Sequence, residues 1–483
     1  MRINRRTLLA AVPVSLLAAP AAAAASLVRE KVDVVVIGAG LAGLNAAVNL
    51  EDLGASVLVL EAQSHVGGRL RTLRRNNRSY ECGATTIGPE YGRIRALAHR
   101  FNVPLVAPHR RGGMAFHING VFGAAKDWAT SPANRTTGWE RDILPVQLEQ
   151  NTINRFGKLP VPDAWREESE RQWDIPVDQF YRSCGLSDEA IRLIEITSNV
   201  ETLASTSAVF QMKELQSLGG WGAAGGQKNS VYEAGGEDFH YIGGGSDRLP
   251  QAIVAGLKGE VRTNAAVTSI EMTDKGCTVS CADGRVINCQ YVISAVPFTA
   301  LSKIKISPEP TGLRAESIHN SEYMGTTNFF FEVTRPYWEI DKADPGLITD
   351  SPIERVFANK GASGEVEWLN VWINGKTARA IDKMGLQGGV AFVMNELFRL
   401  RPAMQGSIAF AGMHSWGSNP YVTGNKHLFK PGQVARFGAQ IAEPWHRLHF
   451  AGEHTRDVEP GMEAAAATGE RAAFEILEKM GKA

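Results

Sequence analysis

The sequence predicts an α/β fold built around a βαβ unit, on three observations. An apolar strand from Val32 to Ile37 runs directly into Gly38-Ala39-Gly40-Leu41-Ala42-Gly43. A helical stretch from Leu41 to Leu53 is closed by Gly54, and a second apolar strand from Ser56 to Leu60 ends at an acid, Glu61. At 483 residues the chain is also too long for one ordinary core, so a second domain is expected beside this unit.

Each part of the unit has a physical reason. Gly38 permits the tight turn, Gly40 lets the backbone approach a pyrophosphate, and Gly43 lets helix and strand pack closely. The pyrophosphate sits on the helix N-terminus, where unpaired N–H groups and the dipole favour an anion. Glu61 is placed to accept hydrogen bonds from ribose hydroxyls. The strand, the glycines, the helix and the terminal acid agree, which makes this a dinucleotide site and not a chance glycine-rich turn.

Apolar residues make up 44% and charged residues 21%, as in a globular enzyme. The formal net charge is +0, which gives no support to a nucleic-acid surface. Met1 to Leu9 is basic, Leu8 to Ala19 is apolar, and alanines run from Ala21 to Ala25. This reads as a signal peptide over residues 1–25, and Arg5-Arg6 resembles a twin-arginine signal, so a periplasmic or secreted location is expected. After it, no stretch is long and apolar enough to span a membrane. Cys82, Cys184, Cys277, Cys281 and Cys289 show no metal spacing, and mostly reduced, buried thiols are expected. Cys277, Cys281 and Cys289 flank the hairpin signal Asp283-Gly284, where a disulfide is conceivable but not readable from sequence.

After Glu61, Gly67-Gly68-Arg69 provides a planar guanidinium fork suited to a phosphate. At the other end, Arg447-Leu448-His449-Phe450-Ala451-Gly452-Glu453-His454-Thr455 precedes a small-residue helix, Gly461-Met462-Glu463-Ala464 to Ala473. Together these stretches resemble the flavin-containing amine oxidase family. The resemblance implies FAD in a Rossmann-like (GR2-type) domain, noncovalent here because the family's covalent cysteine position falls near Gly424, with a discontinuous α+β substrate-binding domain. It assigns 30–92, 241–300 and 415–480 to the FAD-binding domain, and 93–240 and 301–414 to the substrate-binding domain. It also implies that Tyr80 to Pro89 passes close to the flavin ring, that the Val267 backbone meets the adenine, and that Gly452 and Glu453 border the cofactor, with Glu453 accepting from ribityl or phosphate-side hydroxyls. The N–H groups opening the helix at Met462 would face the flavin C2 carbonyl, and alanine and glycine would let that helix pack against the cofactor. There they would stabilise charge arriving on reduction.

Between these ends, Tyr91 to Val103 suits a helix, as do Ser187 to Asn199, Ala204 to Leu218 and the segment from Arg248 to Leu257. Gly219-Gly220, Gly222 and Gly225-Gly226, near Trp221, suggest either a substrate-facing loop or a plain connector. Thr327 to Val333 and Val366 to Ile373 read as strands.

The family's catalytic features are matched unevenly. Trp416 resembles the tryptophan beside the isoalloxazine. The position of the lysine that holds water near flavin N5 falls on Asn328, counted from Arg335-Pro336-Tyr337-Trp338. An uncharged amide there argues against rapid reaction with oxygen. The aromatic cage positions fall on Gly461 and near Asn425, and the covalent cysteine position near Gly424. His414, His427 and His454 are isolated and read as structural. The expected activity is FAD-dependent oxidation of a small-molecule amine, secondary or bulky, by hydride transfer from the carbon next to nitrogen. The acceptor would be oxygen or a periplasmic cytochrome or quinone, and a homodimer is left open. The alternatives are a desaturase or oxidase of a non-amine substrate and a flavin-binding protein with lost catalysis.

Overall fold

The computed structural model describes residues 30–108, 111–223, 239–361 and 363–482; the 1–25 segment and Gly225-Gly226 lie outside them. The strand Glu30–Ile37 lies within an eight-stranded sheet. It pairs in parallel with Val57–Leu60 on one side and Val286–Ser294 on the other. Val34, Val35 and Val36 are all fully buried, as a strand covered on both faces requires. Val34 and Val36 face one core and Val35 and Ile37 the other, so the strand joins two apolar clusters.

Val286–Ser294 is long enough to serve two partners along one edge. Its first half pairs antiparallel with Gly276–Cys281, and its second half pairs parallel with Leu448–Phe450. The late strand Leu448–Phe450 is thereby brought alongside the βαβ unit. Val267–Thr273 extends the antiparallel edge and Lys305–Ser307 pairs beyond it, past the 300 boundary expected from sequence.

The helix Leu41–Asp52 runs against the helix Gly461–Lys479 at close range. A Cβ on Gly469 would sit 2.1 Å from the Ala42 carbonyl oxygen, so that approach requires glycine. Asn45 Nδ2 donates to the Ala466 carbonyl at 2.8 Å. The small residues of Gly461–Lys479 therefore serve mainly this helix–helix contact. Their expected role against the cofactor narrows to the first turns, where Gly461, Met462 and Ala465 border the cavity described below.

A second, seven-stranded sheet runs in the order Ile408–Ser415, Thr326–Val333, Val366–Asn374, Arg355–Lys360, Gly346–Thr349, Met114–Ile118, Val121–Ala124. Phe329 and Phe331 join the core that also holds Ala378, Ile381 and Val393 of the helices Gly375–Asp382 and Gly385–Leu400. Phe330 joins a separate cluster with Tyr80 and Trp416, so Thr326–Val333 alternates between a helix-covered face and one turned to the FAD-domain segment.

The helices Pro145–Phe156, Asp188–Thr197 and Ala208–Ala223 pack together, the first against each of the other two. The last of these corrects the sequence reading, because Gly219, Gly220 and Gly222 continue the helix instead of opening a loop. Its start is anchored by buried Val209, Phe210 and Met212. A glycine costs a helix only about 1 kcal/mol relative to alanine, too little to stop one already packed. Among the described residues no helix is long and apolar enough to cross a membrane, and no cluster of potential metal ligands occurs.

Candidate active site

A cavity of about 580 Å³ opens where Glu30–Ile37 and Val286–Ser294 end, outside the carboxyl ends of parallel strands. Of the residues singled out from sequence, Gly38, Gly40, Glu61, Gly68, Arg69 and Val267 line it from the N-terminal side. Gly452, Glu453, Gly461 and Met462 line it from the C-terminal side. Gly43 lies one layer behind, and a Cβ there would meet the Gly38 carbonyl oxygen at 2.0 Å. Trp416 and Asn328 are also outside the lining, behind Gly83; a Gly83 Cβ would stand 3.1 Å from the Trp416 ring.

The cradle fits FAD. Gly68 has a positive φ of 56°, and a Cβ there would come 3.2 Å from the Gly40 Cα, so the two glycines keep a narrow bare-backbone passage. Glu61 receives the Ala39 N–H at 2.8 Å and the Gln63 N–H at 2.9 Å, which fixes its carboxylate at the rim. Two donors leave lone pairs free for ribose hydroxyls. The helix Gly461–Lys479 makes its first internal bond at the Ala464 N–H, which donates to Pro460, so the N–H groups opening it are not used by the helix itself.

Arg69 and Glu453 meet across the cavity at 2.6 Å, and Arg69 also donates to the Asn425 carbonyl at 2.9 Å. Glu453 further accepts the His427 N–H at 2.8 Å and pairs with Arg456. Burial pushes its pKa upward, but Arg456 and Arg69 overcome that and hold it down to about 2. His427 and His454 are fully buried, and burial lowers both, His427 to about 3. Burial likewise lowers His414 to about 4, and its ring packs edge-on to Trp416 at 4.2 Å. All three are neutral at pH 7.

Asn328 lies opposite Trp372 on one neighbouring strand and His414 on the other. Its Nδ2 donates to the Cys82 carbonyl at 3.3 Å, and Trp416 Nε1 donates to the same oxygen at 2.7 Å. Asn328 is 1% exposed, and its Oδ1 is buried without a hydrogen-bond partner among the described residues.

Two features escaped the sequence reading. The first is Tyr91, which lines the cavity beside Gly461. Gly461 has φ of 51°, and a Cβ there would stand 2.8 Å from the Tyr91 hydroxyl, so a bulky residue at 461 would collide with it. The second is an ionic cluster around Glu214, which accepts from Lys213 at 3.0 Å, Lys426 at 2.7 Å and Arg456 at 3.0 Å. Burial would raise the Glu214 pKa, but the three cations hold it well below the usual carboxylate range. Burial lowers Lys213 to about 8. Glu214, Lys426 and Arg456 line the cavity. Only the adjacency of Lys426 to the cage position Asn425 hinted at this from sequence.

Glycine cradle, paired acids and helix N-terminus together define a dinucleotide-dependent oxidoreductase site in a two-sheet scaffold. A model of the flavin containing amine oxidoreductases matches residues 41–477, and the chain belongs to that family. The chain is 26% identical to flavin-containing amine oxidase B of Homo sapiens over 469 residues, 94% of this chain and 87% of that protein. It is 25% identical to a putative L-amino-acid oxidase of Bacillus subtilis, over 92% of this chain and 94% of that protein. In fold it is similar to a putrescine oxidase variant, with a TM-score of 0.76 at 23% identity over 93% of this chain and 100% of that one. A cyclohexylamine oxidase from Brevibacterium oxydans gives a TM-score of 0.76 at 19% identity, over 93% of this chain and 99% of that one. The protein is an FAD-dependent oxidoreductase acting on amines. The cavity lining includes no cysteine among the described residues, in keeping with noncovalent FAD.

Proposed function

We propose that this oxidoreductase acts on a secondary or otherwise bulky amine. FAD held in the cavity would supply the redox chemistry, as the acceptor for a hydride from the carbon next to the substrate nitrogen. Gly40, Gly68 and Arg69 would hold the pyrophosphate side, Glu61 the ribose, and Glu453 with the Met462 helix end the ribityl and flavin edge. The observation that carries the substrate reading is Gly461 against Tyr91. The positive φ and the tyrosine hydroxyl leave no room for an aromatic at 461, so the two-ring cage for a slim amine is not built. Anaerobic mixing with secondary and branched amines should bleach the flavin absorbance faster than primary alkylamines do; the reverse ranking would sink this reading.

The acceptor we propose is a cytochrome or quinone in preference to oxygen. Asn328 supports this, because its amide carries no charge where the family lysine would stand. Stopped-flow mixing of the amine-reduced protein with oxygen should show slow reoxidation, and fast reoxidation would refute the proposal. Export through a twin-arginine route is proposed from Arg5-Arg6 and the alanine-rich run behind them. Replacement of both arginines by lysine should trap the protein in the cytoplasm, while unchanged export would exclude that route.

A second reading has its own observation. Lys213, Lys426 and Arg456 converge on Glu214, and Arg456 and Arg69 share Glu453, so four cations face two carboxylates. An ammonium has three donors, and Glu214 uses one of those on Lys426 at the cavity wall. This excess of positive charge would suit an amine that also bears an anionic group. The expected result is lower KM for amino carboxylates than for the matching amines, with the difference lost in Lys426→Met; equal KM values would remove this reading.

A further inference from the structure

Outside the cavity, one pair of nucleophilic side chains faces each other without any part in amine oxidation. Cys277 and Cys289 are directly opposite residues in the antiparallel pair formed by Gly276–Cys281 and Val286–Ser294. Opposite residues in such a pair have Cα atoms about 4.5–5.5 Å apart and side chains on the same face. A disulfide needs Cα atoms about 4.4–6.8 Å apart, so the backbone is already in the bonding range. Both thiols are free.

We propose that Cys277 and Cys289 form a reversible cross-strand disulfide, with hydrogen peroxide as the oxidant. The Cys277 thiolate attacks one peroxide oxygen, the O–O bond breaks, and hydroxide leaves, giving a sulfenic acid. The Cys289 sulfur then attacks the Cys277 sulfur, the S–O bond breaks, and water leaves with the Cys289 proton. Two thiols are oxidised by two electrons and one peroxide is reduced to two waters.

The pair is asymmetric in a way that suits this order. The Cys289 thiol, by hydrogen bonding to Cys277, lowers the Cys277 pKa, and the same contact together with burial raises that of Cys289. The Arg447 guanidinium adds to the lowering at Cys277. It is anchored nearby on the carbonyls of Thr273 and Gln290. Both thiols are buried, Cys277 at 4% and Cys289 at 5% exposure, and the nearest exposed residues are Thr273, Asp274 and Lys275, just before Cys277. Both lie inside the sheet, Cys277 paired on its other side with Met272 and Cys289 with Val32.

No other strand pairing places two cysteines opposite each other among the described residues. Cys281 is on the same strand as Cys277, roughly 14 Å away at strand spacing. Cys281 faces Val267 across the ladder. Cys82 hydrogen-bonds locally to the Tyr80 carbonyl, and Cys184 caps the helix Val177–Ser183.

The test is peptide mapping of the reduced FAD-loaded protein before and after hydrogen peroxide, with alkylation of remaining thiols. The expected result is one crosslink joining the Cys277 and Cys289 peptides, reversed by dithiothreitol, with Cys82, Cys184 and Cys281 still alkylated. Cys289→Ser should instead leave a dimedone-reactive sulfenic acid on Cys277, whereas Cys277→Ser should leave Cys289 unreacted. Five alkylatable thiols after peroxide, or a crosslink to any other cysteine, overturns the proposal. The wild-type map decides even where a variant fails to fold.

Discussion

Trp416 and Asn328 donate to one and the same acceptor, the carbonyl oxygen of Cys82. Asn328 comes from the second sheet and Trp416 from the segment after it, while Cys82 follows the short hairpin Thr72–Arg75 and Arg78–Glu81, so this oxygen ties that hairpin to the second sheet beside the cavity. The next residue, Gly83, lines the cavity. Trp416→Phe keeps an aromatic side chain but loses the indole N–H, and with it the shorter of the two bonds, at a cost of about 1–3 kcal/mol for an under-satisfied buried carbonyl. Denaturant melts should show that loss, and flavin titration should show weaker FAD binding because the Gly83 backbone is released with it.

The two glycines inside and just after the helix Leu41–Asp52 differ in what a side chain there would meet. Gly43→Ala would drive a methyl to 2.0 Å from the Gly38 carbonyl, so the purified protein should carry little or no flavin. Gly54 also has a positive φ, 76°, but a Cβ there meets nothing within 4 Å. Gly54→Ala should lower stability by roughly 1 kcal/mol and leave flavin content unchanged.

Glu453 makes stability depend on acid. Its folded pKa is held to about 2, below the 4.5 of a free glutamate, so its contribution is fully present above pH 4.5 and is lost as pH falls toward 2. A depression of that size corresponds to about 3 kcal/mol at neutral pH. Urea unfolding of Glu453→Gln at pH 7 and pH 3 should show a large deficit at pH 7 that shrinks at pH 3.

Lys213 sets an alkaline boundary. Burial lowers it to about 8, so it is charged at pH 7 and neutral by pH 9. The cation cluster around Glu214 therefore loses one charge across that window. An arylcarboxylate inhibitor should bind several-fold more weakly at pH 9 than at pH 7, and Lys213→Met should abolish the difference. Spectral titration of the bound flavin reads this without turnover.

The parts of the site legible in the sequence are those fixed by short-range geometry. Gly38, Gly40, Gly43 and Glu61 lie within one supersecondary unit, so their spacing carries their placement. Gly452 and Met462 were legible through a second local pattern at the far end. Tyr91 was not, because its contact with Gly461 depends on how two distant segments pack. The same holds for Glu214, Lys426 and Arg456, which come from three separate elements and carry no spacing signal. Gly219 to Gly222 misled for another reason, since a helix anchored at Phe210 and Met212 can absorb a glycine penalty that local propensity treats as decisive.

The contact between Leu41–Asp52 and Gly461–Lys479 has a consequence for biosynthesis. The fingerprint emerges from the ribosome first, and the helix that closes over it emerges last. At about 5–20 residues per second, the intervening stretch takes roughly 20–80 s to make. Throughout that interval the nascent fingerprint helix lacks the partner that Ala42 and Asn45 require. Cofactor capture is thus a late event in the life of the chain.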